Sequence, residues 1–219
     1  MNIAEHLAFA RDAWNEKVLK ARPDRVAWDT DIDSHDAGRT RCLRPLVKGI
    51  PFERDWRVLE IGCGGARLLE RIARCVPDGE AIGYDMSRKM LRTAIRRFMR
   101  AEGAAHRFIL GDGLTIPADE KVRPHSVDFT FSVLTFQHNP PEVWRSLLVD
   151  AAKLARPGGW LRIQLRHNPE DTGLPLSFPI SPQAAVKVVG GAGWERVTVR
   201  RGWREVKWYW ITARKEEGE

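Results

Sequence analysis

The chain has 219 residues, with 36 Lys and Arg against 29 Asp and Glu, a formal net charge of +7. Its 43% hydrophobic and 30% charged content describes a globular domain and excludes wholesale disorder. No stretch nears the roughly 18 consecutive apolar residues of a membrane span, and the start, Met1 to His6, lacks the cationic and apolar run of a secretory signal. Cys42, Cys63 and Cys75 form no paired framework and no metal-ligand spacing. A reducing cytoplasm is therefore expected, with neither a metal site nor a membrane partner.

The elements follow in chain order. Ile3, Leu7, Ala10, Trp14 and Val18 recur at helical spacing and predict a helix over 3–20. Residues 22–36 are polar and turn-rich, and a second helix is expected over 37–49. From Trp56 onward, apolar runs of strand length alternate with amphipathic helices. Strands are predicted at 57–61, 81–84, 107–110, 127–134 and 160–165, and helices at 65–76, 87–102, 141–155 and 182–190. Ala66, Leu69, Ile72, Ala73 and Val76 make one buried stripe, and Met90, Leu91, Ala94, Ile95, Phe98 and Met99 another. Ser87 reads as an N-cap, and Pro141 suits a first helical turn.

Two further strand-like runs, 196–200 and 206–213, read as a C-terminal hairpin giving an antiparallel edge. Of its four tryptophans, Trp194, Trp203, Trp208 and Trp210, half are expected in the core. The fold class is therefore α/β: a Rossmann-like, seven-stranded, mostly parallel sheet with helices on both faces. Residues 1–50 form an N-terminal helical extension and residues 51–219 the main domain.

Val58-Leu59-Glu60-Ile61-Gly62-Cys63-Gly64-Gly65-Ala66 is a strand entering a glycine turn ahead of a helix. Gly62 and Gly64 let a ligand approach the backbone at the carboxyl end of the first strand. The dinucleotide fingerprint fails, because Arg67 stands where its third glycine belongs. Glu60 would repel a pyrophosphate but suit a cationic ligand. Asp85 ends the second strand 21 residues after Gly64 (85 − 64), where a carboxylate can take both hydroxyls of a ribose.

These segments, with IGYDMS (82–87), LGDG (110–113), VDFTFSVLTFQH (127–138) and LARPGGWLRI (154–163), resemble the class I S-adenosylmethionine-dependent methyltransferases in order and spacing. The resemblance covers about residues 56–165. It implies S-adenosylmethionine as cofactor and methyl transfer as activity. It places Glu60, Gly62 and Gly64 along the methionine and ribose and Asp85 on the ribose hydroxyls. Met86 packs on the adenine, Asp112 accepts from its amino group and Gly113 contributes backbone. Ser132 and Val133 approach the sulfonium. The family often has a third glycine where this chain has Ala66.

His138, after the fourth strand, is the candidate base; imidazole titrates near neutrality. Asn139-Pro140-Pro141 resembles an amino-methylating motif, but Glu142 stands where an aromatic residue should. The tripeptide reads as a helix start, with Asn139 as its cap. Trp28, His35 and Arg39 could belong to a lid, and the proline-rich loop 168–181 could gate an acceptor pocket.

Over 87–107, Arg88, Lys89, Arg92, Arg96, Arg97, Arg100 and Arg107 face one acid, Glu102. A solvated outer face is the favoured reading. The expected acceptor is a small molecule. An RNA- or DNA-directed methyltransferase and a non-catalytic S-adenosylmethionine-binding protein are the alternatives, with a nicotinamide reductase more distant. Oligomeric state is open.

Overall fold

A computed structural model describes residues 2–20, 43–99, 104–119, 122–166, 178–201 and 208–217. Seven strands form one sheet: β1 (Arg57–Ile61), β2 (Glu80–Asp85), β3 (Ala105–Leu110), β4 (Val127–Ser132), β5 (Ala155–Arg166), β6 (Glu195–Arg201) and β7 (Trp208–Arg214). Their order is β3-β2-β1-β4-β5-β7-β6. The helices are α1 (Ile3–Lys20), α2 (residues 43–47), α3 (Arg67–Ala73), α4 (Arg88–Phe98), α5 (Pro141–Leu154) and α6 (Pro182–Gly190), with a 3-10 turn at Phe136–His138. The predicted loop 22–36, the first part of helix 37–49, residues 168–177 and Trp203 lie outside the described residues.

Contacts divide the chain into two compact units, Met1–Arg57 with Cys63–Leu110, and Val58–Gly62 with Gly111–Glu219. In the first, β2 and β3 run parallel, in register from Glu80↔Ala105 to Asp85↔Leu110. Glu80 holds the pair from outside, bonded to Arg57 at 2.7 Å and to Arg107 at 2.8 Å. Ser87 caps α4: its Oγ accepts from Met90 N at 3.2 Å and donates to Asn15 Oδ1 of α1 at 2.8 Å.

Helix α3 starts two residues later than expected, because Gly64 (φ 51°) and Ala66 (φ 57°) are left-handed. Helix α4 buries Met90, Leu91, Ala94 and Phe98, but Ile95 and Met99 of the predicted stripe are exposed, at 44% and 76%. Each step of four residues advances roughly 40° around a helix, so the series 91, 95, 99 walks out of the core. Ile3 of the α1 stripe is likewise exposed, while Leu7 and Ala10 are buried.

In the second unit β1, β4 and β5 are parallel, and β7 is antiparallel to both β5 and β6. The antiparallel strand is thus not the edge: β6 is, and it is exposed at nearly every residue. Strand β7 is covered on both faces, which hides the alternation of Trp208 and Trp210 against Tyr209 and Ile211. Trp194 and Trp210 are core residues, Trp194 Nε1 donating to Leu148 O at 3.0 Å; Trp208 is half-buried beneath the Arg166 guanidinium. Strand β5 begins at Ala155, directly after α5, and takes Pro157-Gly158-Gly159 as a bulge opposite Val127–Phe129.

Candidate active site

The glycine turn needs its glycines for different reasons. A Cβ on Gly62 (φ 71°) would stand 2.7 Å from the Cβ of Thr135 and closer still to its γ atoms. The Thr135 hydroxyl bonds to Gly62 O at 3.2 Å, so β4's exit fills the space a side chain would need. At Gly64 the first atom a Cβ would meet is Met90 Sδ at 3.9 Å, leaving the backbone open to a ligand.

Asp85 closes β2 with its carboxylate held by amides: Gly64 N donates to Oδ2 at 2.8 Å and Ser87 N to Oδ1 at 2.7 Å. Burial raises its pKa above the ordinary carboxylate value, opposed by the Ser87, Gly64 and Met86 amides. A carboxylate has about four acceptor positions, and with three amides turned to this one a direction is left for a ligand hydroxyl. Met86 is half-buried beside it in sequence.

In the second unit, Glu60 is 4% exposed within β1, a buried acid beside the turn. Ser132 is 1% exposed, and its Oγ donates to Ile61 O at 2.8 Å, tying β4's end to the start of the turn. Val133 is buried, and Leu134 is left-handed at φ 60°, unusual for a bulky side chain. Asp112 is exposed and holds its own turn: Oδ1 accepts from Leu114 N at 2.8 Å and Thr115 N at 2.7 Å, and Oδ2 from Thr115 Oγ1 at 3.0 Å. Partial burial works to raise its pKa, but these bonds outweigh it and hold the carboxyl below its usual range. Gly113 is buried with φ 88°.

His138 ends the 3-10 turn, 8% exposed. Its Nε2 lies 3.3 Å from Gln137 Nε2. Gln137 Oε1 is buried without a partner among the described residues. The turn is pinned from outside, Phe178 N donating to Gln137 O at 2.8 Å. Asn139 is not the cap of α5. Pro140 holds that position, and the Asn139 amide turns back to Thr135 O at 3.1 Å; Pro141 does open the helix.

Thr135 and Gln137 escaped sequence reasoning: Thr135 meets a partner 73 residues away, and Gln137 carried no signal beyond adjacency to His138. Trp28, His35 and Arg39 lie outside the described residues.

A family model for a methyltransferase domain matches residues 58–159. The demethylmenaquinone methyltransferase of Roseiflexus sp. (strain RS-1) is 31% identical over 170 residues, 66% of this chain and 70% of that protein. The trans-aconitate 2-methyltransferase of Variovorax paradoxus (strain S110) is 30% identical over 147 residues, 67% of this chain and 52% of that one. The solved magnesium protoporphyrin IX methyltransferase from Synechocystis PCC 6803, with bound SAH, superposes with a TM-score of 0.67 at 17% identity, covering 96% of this chain and 100% of that one. The chain belongs to the class I S-adenosylmethionine-dependent methyltransferases. It is a transferase that uses S-adenosylmethionine as methyl donor.

Proposed function

We propose that the acceptor is a small molecule and that the family's cofactor positions are used here residue by residue. The relatives support the first part, being named for demethylmenaquinone and trans-aconitate. The observation that carries the second is the Asp85 carboxylate, fixed by two amides at the tip of β2. In this reading Asp85 takes the ribose hydroxyls and Met86 packs on the adenine, with Asp112 and Gly113 at its amino edge. Glu60, Gly62 and Gly64 run along the ribose and methionine, and Ser132 and Val133 face the sulfonium end.

The bound cofactor supplies a methyl group on a positively charged sulfur, with a neutral thioether as leaving group. The chain's own work is to align the acceptor and exclude water. His138 is the base that takes the acceptor's proton when the nucleophile carries one. Residues 1–50 are assigned as an extension with a lid role, and residues 51–219 as the methyltransferase domain. A cytoplasmic location belongs to the same reading, supported by the free thiols of Cys63 and Cys75.

Calorimetric titration with S-adenosylhomocysteine, with NADH as control, tests the cofactor site. Saturable one-to-one binding of the former alone, lost in Asp85→Ala, supports it; equal binding by the variant removes the ribose assignment. Release of S-adenosylhomocysteine over a panel of hydroxyaryl compounds, carboxylic acids and amines then identifies the acceptor class.

A further inference from the structure

Seven cations fall between residues 88 and 107, and the structure divides the described ones sharply. Arg97 is paired with Glu70 at 3.2 Å and Arg107 with Glu80 at 2.8 Å. Arg88, Lys89, Arg92 and Arg96 have no ion pair with any described residue; Arg96 Nε bonds only to a carbonyl of its own helix, Arg92 O, at 3.2 Å. At roughly 100° per residue these four share one arc of α4, about 100° wide. Exposed Met99 lies within that arc, and exposed Ile95 lies about 20° beyond its edge, beside Arg92 and Arg96 along the chain.

The arrangement runs against what stabilises a free-standing surface helix. The first turn of α4 holds Arg88 and Lys89 and no acid, so cations sit at the positive end of the helix dipole. Large apolar side chains stand in water between them, Met99 at 76% exposure. A cationic arc with embedded apolar side chains fits a surface that is anionic outside and apolar just beneath. Single-stranded nucleic acid would call for aromatic platforms, and the arc holds none. We propose that the outer arc of α4 (Arg88, Lys89, Arg92, Ile95, Arg96 and Met99) docks the enzyme on an anionic lipid bilayer. The arginines meet headgroup phosphates, and Ile95 and Met99 enter the acyl boundary. Contact of this kind is peripheral and needs no spanning helix; none of the described helices is long and apolar enough to cross a membrane.

The test uses the full chain and sedimented vesicles, one set of phosphatidylcholine and one with about a third phosphatidylglycerol. The expected result is partition onto the anionic set stronger by ~10-fold or more, falling as salt rises. The double variant Arg92→Glu/Arg96→Glu should lose that preference. Ile95→Ser/Met99→Ser should bind several-fold more weakly, with a steeper salt dependence. Both variants should melt like the parent and bind S-adenosylhomocysteine unchanged, which separates this surface from the cofactor site. Equal partition onto both vesicle sets overturns the proposal. Failure of the serine variant to weaken binding removes the apolar contact. Stronger, salt-sensitive retention on single-stranded RNA than on vesicles transfers the arc to nucleic acid.

Discussion

The amide of Gly64 donates to Asp85 Oδ2 at 2.8 Å, so the glycine turn and the tip of the neighbouring strand are joined by one charge-assisted bond. Ser87 N completes the clamp at 2.7 Å, and Ser87 in turn caps α4. The Asp85 carboxylate is therefore oriented by backbone amides.

Asp85→Ala should weaken S-adenosylhomocysteine binding by about 1–3 kcal/mol, the scale of lost hydrogen bonds to a charged group. Calorimetric titration reads it. Burial raises the Asp85 pKa, and the ionised form is the better acceptor for a hydroxyl. Affinity should thus decline on acidification, starting at a pH above the ordinary carboxylate range, as the site protonates. The same raised value makes the ionised carboxylate a stability cost in the free protein, one absent at low pH and growing as pH rises through the folded pKa. Affinity flat to pH 4 in the parent would remove the link between Asp85 and the ligand.

Gly62→Ala and Gly64→Ala should fail differently. Both carry the left-handed penalty, about 1–2 kcal/mol. At Gly62 the new methyl also runs into Thr135, adding about 1–3 kcal/mol of overpacking. Gly64→Ala meets only the end of the Met90 side chain, at 3.9 Å and beyond, so it should carry the backbone penalty alone yet bind the cofactor more weakly. Denaturant midpoints and a titration separate the pair; equal destabilisation would show that Thr135 yields.

Asp112→Ala should cost about 1 kcal/mol at neutral pH through its three turn bonds, a modest figure because the group is exposed. Its pKa is lowered on folding, so the contribution is present above the unfolded value and lost as pH falls through the folded one. The stability gap between parent and variant should therefore narrow on acidification below the ordinary carboxylate range. A loss of cofactor affinity beyond that of a loosened turn marks the adenine contact, and unchanged affinity confines Asp112 to the turn.

His138→Ala should lower turnover by about 100-fold or more with an acceptor that must lose a proton. Gln137→Leu removes the amide 3.3 Å from His138 Nε2 and should retain most of the rate. A near-parental rate in His138→Ala would return that residue to a packing role.

Much of this was legible locally. The alternation of strand and helix, the cap at Ser87 and the start of α5 at Pro141 all followed from spacing and residue type, because hydrophobic period and capping chemistry act over a few residues. The start of α3 was missed, since a left-handed Ala66 is not written in alanine's preferences. Ile95 and Met99 were placed in the core because a stripe of six apolar residues reads as one face, although the helix turns the last of them outward.

Sequence alone determined the class of protein: the glycine turn, the acid at position 85 and the order of apolar runs are short-range features that survive without knowledge of the fold. Only the tertiary structure decided that β7 lies between β5 and β6, that Thr135 fills the space above Gly62, and that Arg97 of α4 and Arg107 of β3 are neutralised. Each depends on partners brought together across tens of residues by packing and hydrogen bonding. A strand's own pattern records how deeply it is buried, not which strand lies beside it.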